Sequence, residues 1–170
     1  MPNRFEVPKE LSHRYFFPQK EVTIEQKNLQ SFTLEEPFLY DFAYYVNLTA
    51  IHPWENIDNY MEETLKEWAQ TKESLQELFK LRDKKIVQAP MKKGIAIFIQ
   101  LLHWVNGVPV KLYPSVDYSE LKISTVNIEE RLSYILSRPY AFPSYMQLVE
   151  MMKELQKQYE KNIAMKRLKK

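Results

Sequence analysis

Eleven consecutive residues, Ile95-Ala96-Ile97-Phe98-Ile99-Gln100-Leu101-Leu102-His103-Trp104-Val105, form the most apolar stretch of the chain, and its only two glycines, Gly94 and Gly107, bracket it. A membrane span needs about 20 apolar residues, so this run is too short to cross a bilayer. A secretory signal would sit at the N-terminus, where the chain has Pro2-Asn3-Arg4 instead. The run therefore predicts a buried central helix about which the other segments pack. Pro90 or Met91 opens it, and Asn106-Gly107 followed by Pro109 closes it, which sets its bounds at about 91–106.

Glycine scarcity supports the same class. Tight hairpins use glycine at positive φ, whereas helices need little of it. Two glycines in 170 residues, with abundant Leu, Glu, Lys, Gln and Met, predict an all-α chain. We expect a single compact bundle of five or six helices over residues 31–170, preceded by an irregular arm over 1–30. The arm is spaced by Pro2, Pro8 and Pro18, and its Tyr15-Phe16-Phe17 knot covers the edge of the core.

Capping signals give provisional boundaries. Thr33 with Glu36 fits a capping box ahead of Pro37, opening a helix through Phe38, Leu39, Phe42 and Val46 that His52-Pro53 ends. Ile57, Met61, Leu65 and Trp68 then recur at helical spacing. Ser74 with Glu77 fits a fresh start, so residues 53–82 read equally as one helix or two. Lys84 to Pro90 reads as a basic linker, and 108–123 as extended or looped because two prolines oppose a regular strand. Asn127 with Glu130 caps a helix that stops at Arg138-Pro139. Ser144 with Gln147 caps a long C-terminal helix over 144–168, whose last turns outrun the core.

The chemistry is defined mainly by exclusion. Zero cysteine removes disulfides, thiolate metal sites and cysteine nucleophiles, and suits a reducing cytosol. With two glycines, no phosphate-cradling loop or dinucleotide fingerprint fits, and no Gly-x-Ser-x-Gly elbow occurs. His52, Glu55 and Asp58 or Glu62 have ligand-like spacing, but no paired histidine motif accompanies them. His103 reads as a general base or as a core histidine bonded to a carbonyl. We assign no catalytic residue, no metal ligand and no cofactor.

Charge is unevenly placed. Residues 55–79 carry seven acids against Lys66 and Lys72. Residues 80–93 carry Lys80, Arg82, Lys84, Lys85, Lys92 and Lys93 against Asp83 alone, and 161–170 carry five bases and no acid. Acids early and bases late in helices suit the macrodipole. The same basic segment and tail also fit phosphate contacts.

The apolar helix that closes on Trp104-Val105-Asn106-Gly107, with Pro109 following, resembles the YpoC-like proteins, small proteins of bacilli, over roughly residues 35–165. The resemblance implies a bacterial cytosolic protein with an all-helical domain and supplies no catalytic residues. The expectation is a non-enzymatic cytoplasmic binding or adaptor protein with a protein partner and no membrane contact. Tyr113, Tyr118, Tyr140, Phe142 and Tyr145 fit an interface or ordinary packing of proline-rich connections. The alternative is nucleic-acid binding through the basic 80–93 segment and the basic tail.

Overall fold

A computed structural model describes residues 3–114 and 117–169; Pro2 of the N-terminal arm, and Ser115, Val116 and Lys170, read above as loop and basic tail, lie outside the described residues. Among those described are five α-helices and one two-stranded sheet: β1 (Asn3–Glu6), β2 (Glu21–Ile24), α1 (Leu39–Tyr45), α2 (Met61–Lys80), α3 (Lys84–Trp104), α4 (Ile128–Ser137) and α5 (Phe142–Leu168). The class is all-α, as the sequence predicts. The described residues pack as two compact units, one within 1–65 and 99–117, the other within 66–98 and 118–170.

In the first unit the N-terminal arm is not irregular throughout. β1 pairs antiparallel with β2, Asn3 opposite Ile24 and Glu6 opposite Glu21, and a bond from the Val7 amide to the Lys20 carbonyl (2.8 Å) extends the ladder. Leu11, Phe16, Ile24 and Leu29 are buried there, and the Phe16 ring meets Phe38 edge-on at 4.9 Å. The aromatic knot thus covers the core as expected.

The helix expected after Thr33 starts later, at Leu39. Its N-cap is Phe38, in the left-handed region at φ 60°, and the Phe38 amide donates to Gln100 Oε1 at 3.1 Å. Thr33 Oγ1 instead accepts the Glu35 amide at 3.2 Å, capping a turn. The Tyr40 hydroxyl accepts the Thr33 amide and donates to the Ser31 carbonyl, both at 2.7 Å, so tertiary bonds displace the local box. α1 also ends before His52. Asn47 is left-handed at φ 61°, and the Leu48 amide reaches back to Ala43 at 2.8 Å, a Schellman closure.

In the second unit α2 is one helix, with no break near Ser74. Thr71 Oγ1 donates to the Glu67 carbonyl at 2.9 Å and Leu75 is fully buried. The basic linker over 84–90 is in fact the start of α3. Asp83 Oδ1 accepts the Lys85 amide at 2.9 Å as an N-cap, and Pro90 lies inside the helix. A proline in a helix interior costs about 3 kcal/mol. Val87 and Met91, one turn apart and both buried, each return about 1.5–3 kcal/mol and offset it.

The apolar run is buried as its composition demands: Ile97, Phe98, Leu101, Leu102 and Val105 all lie in the core, and Gly107 at φ 75° marks the stop. Asn127 precedes α4 in the left-handed region without a side-chain cap, and Ala141, not Ser144, caps α5. Ser144 Oγ donates to the Arg138 carbonyl at 2.6 Å, satisfying the end of α4. Arg131 of α4 reaches Gln147 (3.1 Å) and Glu154 (2.5 Å) of α5. Gly94 admits close packing: a β-carbon there would lie 3.1 Å from Trp68 and 3.3 Å from Leu148. The last buried residue of α5 is Tyr159, so its final turns do outrun the core.

Candidate functional site

The six basic candidates do not form one patch. Lys80 is exposed and bonded to Glu77 at 3.1 Å, and Lys93 is half-buried and ion-paired with Glu67. Lys92 is half-buried on α3. Arg82, on the turn that joins α2 to α3, and Lys84 and Lys85, the first two residues of α3, are exposed. The basic tail is remote from them. Phe142 lies beside Phe79 (ring centroids 5.5 Å), at the turn end of α2, and Lys166 is then about 36 Å further along α5 at 1.5 Å per residue.

That turn end collects a second kind of residue. The Phe79–Phe142 contact brings the α2–α3 turn and the α4–α5 turn to one end of the second unit. Leu81 is 67% exposed there, Phe142 51% and Met146, one helical turn beyond Phe142, 47%. Arg138 is exposed on the α4–α5 turn. One end of the unit thus presents three large apolar side chains among the cations Arg82, Lys84, Lys85 and Arg138. The aromatic residues expected at an interface are dispersed. Tyr113 belongs to the first unit, beneath Lys9, and Tyr145 is buried with its hydroxyl donating to the Lys72 carbonyl at 3.0 Å. Tyr118 is half-buried, its hydroxyl pushed up to about 12 by burial and by Glu129. Tyr140 is half-buried, and only Phe142 of the second unit's four is exposed.

The first unit holds a buried polar centre that pattern reading missed. Asp41 is wholly buried; its Oδ2 accepts the Trp104 indole N–H at 3.0 Å and the Val110 amide at 2.6 Å. Burial pushes its carboxyl up to about 6, and those two donors hold it from going higher. An acid inside the apolar sequence Leu39-Tyr40-Asp41-Phe42-Ala43 was the available signal. His103 is a core histidine: its Nδ1 bonds the Ile99 carbonyl at 2.8 Å, and burial lowers its pKa against that bond. His52 Nδ1 meets Glu55 at 3.2 Å and its ring stacks on Trp54 at 4.8 Å, while Asp58 and Glu62 are exposed. Among the described residues no group of three metal-ligating side chains stands together, and no helix is long and apolar enough to cross a membrane.

The family model of the YpoC-like proteins matches residues 58–167. The chain belongs to the YpoC-like family. A Bacillus subtilis relative that carries the name "Uncharacterized protein YpoC" is 32% identical over 154 residues, spanning 88% of each chain. No solved structure matches. The matched region takes in all of α2 to α4, most of α5 and the whole exposed end described above.

Proposed function

We propose that this member of the YpoC-like family is a non-enzymatic, cytoplasmic binding or adaptor protein that docks a protein partner on the exposed end of its second unit. One observation carries this reading: Leu81, Phe142 and Met146 leave large apolar surface in water at the end of the second unit where Phe79 meets Phe142, and Arg82 and Arg138 are exposed on the two turns there. Clustered exposed apolar residues mark interaction sites, and Phe, Met and Arg are enriched in interface cores. A photo-crosslinking side chain placed at Met146 in living cells should give discrete protein adducts. The same side chain at exposed Glu160, some 21 Å along α5, should not. Equal yields at both positions would refute the docking surface.

The second reading, nucleic-acid binding, draws on Arg82, Lys84 and Lys85 standing exposed side by side. Lysines contact phosphates as point charges, so binding would be sequence-tolerant and steeply salt-dependent. A DNA titration at low salt tests it, with Lys84, Lys85, Lys92 and Lys93 replaced by glutamine. Binding unchanged by the replacement rules the segment out.

A further inference from the structure

Resting on that docking surface, we infer that its occupant is an acidic protein segment carrying large apolar anchors. The charge of the surface is unbalanced in a specific way. The acids nearby are fewer than the cations: Glu77 pairs with Lys80, Glu150, one turn beyond Met146, pairs with Lys153, and Asp83, which accepts the Lys85 amide, leaves its charge between Arg82 and Lys84. Arg82, Lys84, Lys85 and Arg138 are exposed at the same end of the unit as Leu81, Phe142 and Met146.

Two placements cost the free protein something. Arg82 sits at φ 53°, a left-handed position at the end of a helix where glycine is the least strained residue. Lys84 and Lys85 occupy the first turn of α3, at the positive end of the helix dipole, where the N-cap Asp83 offsets only part of the positive charge. Carboxylates arriving on this surface relieve the repulsion that these cations create. Phe142 and Met146, one turn apart, give an apolar strip for a side chain such as Leu, Phe or Trp. Electrostatic complementarity of this kind selects partners and speeds their encounter.

The test is selection of short random peptides displayed on phage against the full chain at low salt, followed by fluorescence anisotropy with the best labelled peptide. Selected peptides should be rich in Asp and Glu and carry at least one large apolar residue. Combined replacement of Arg82, Lys84 and Lys85 by glutamine should weaken the peptide about tenfold or more, and Met146→Glu likewise. Raising salt from about 50 to about 300 mM should weaken it in the wild type and little in the triple variant. Arg82→Gly separates binding from folding, since it should keep or raise thermal stability while lowering affinity. Neutral or basic peptides that still compete at Met146 overturn the acidic class and leave the docking reading standing. If no peptide is selected and no adduct forms at Met146, both fall. Sedimentation with phosphatidylglycerol vesicles, or DNA binding, lost in the triple variant and without peptide enrichment, also overturns the inference.

Discussion

Asp41→Asn replaces one buried carboxyl oxygen by an amide nitrogen, removing the ionisable group at almost no change in volume. The wild-type carboxyl is wholly buried and titrates near 6 instead of 3.8, burial outweighing the Trp104 and Val110 donors. A shift of that size corresponds to about 3 kcal/mol between the protonated and ionised native states. The folded pKa lies above the unfolded one, so this stability is fully present below pH 3.8 and is lost as pH rises toward 6. The asparagine keeps one oxygen for both donors and places an amide where Asp41 Oδ1 has no partner outside its own residue. That costs about 1–3 kcal/mol at every pH.

Urea melts of both proteins across pH 3.5–7, followed by tryptophan fluorescence, give the difference in stability between them. Exposed carboxylates titrate in both and cancel. Wild type should be the more stable at pH 3.5, and its advantage should shrink by about 3 kcal/mol by pH 7, with the slope confined between the two pKa values. A flat difference would show that Asp41 is not held in a low-dielectric core. A rising one would show that the two donors outweigh burial and keep the group ionised.

Three further outcomes test the packing. Gly94→Ala should cost about 1 kcal/mol net in denaturant melts, because crowding Trp68 and Leu148 outweighs the helix gain of about 1 kcal/mol; a stabilised protein would refute the close approach. Leu101→Ala should cost about 2–5 kcal/mol, the range for a buried leucine, and a loss under about 0.5 kcal/mol would place the apolar run outside the core. Removal of residues 164–170 should change stability by under about 0.5 kcal/mol, since the described residues beyond Ile163 are exposed.

The parts of this fold that were legible in the sequence rest on burial. The run through Phe98 and Trp104 had one outcome, because that much apolar surface has nowhere else to go, and Gly107 before Pro109 marked its end. Capping signals failed where tertiary bonds competed. The Thr33 box lost to Tyr40 and Gln100, and Ser144 turned to the Arg138 carbonyl. Over 84–90 the sequence points to a linker because Pro90 signals a break, while the burial of Val87 and Met91 makes the segment helix. β1 and β2 carry no turn between them that local pattern could detect. At the exposed end, Phe142 was legible as an aromatic and the bases as charge. Their arrival at one end with Leu81 depends on how α2 and α5 pack, shown by the Phe79–Phe142 contact, which spacing along one chain does not encode.

The left-handed residues connect that packing to function. With so little glycine, the chain places Phe38, Asn47, Arg82 and Asn127 at positive φ. Asparagine tolerates this conformation through its short polar side chain. Phe38 is fully buried and its amide is held by Gln100, so core packing offsets its strain. Arg82 has neither excuse: it is exposed, forms no ion pair among the described residues, and follows Leu81, the most exposed large apolar side chain of the turn. Strain at such a position costs roughly 1 kcal/mol that folding does not recover. Within the proposed function the guanidinium recovers it on a partner's carboxylates, where its fork geometry makes paired bonds that lysine cannot. The position that weakens the free protein is therefore the one on which discrimination among partners should depend most.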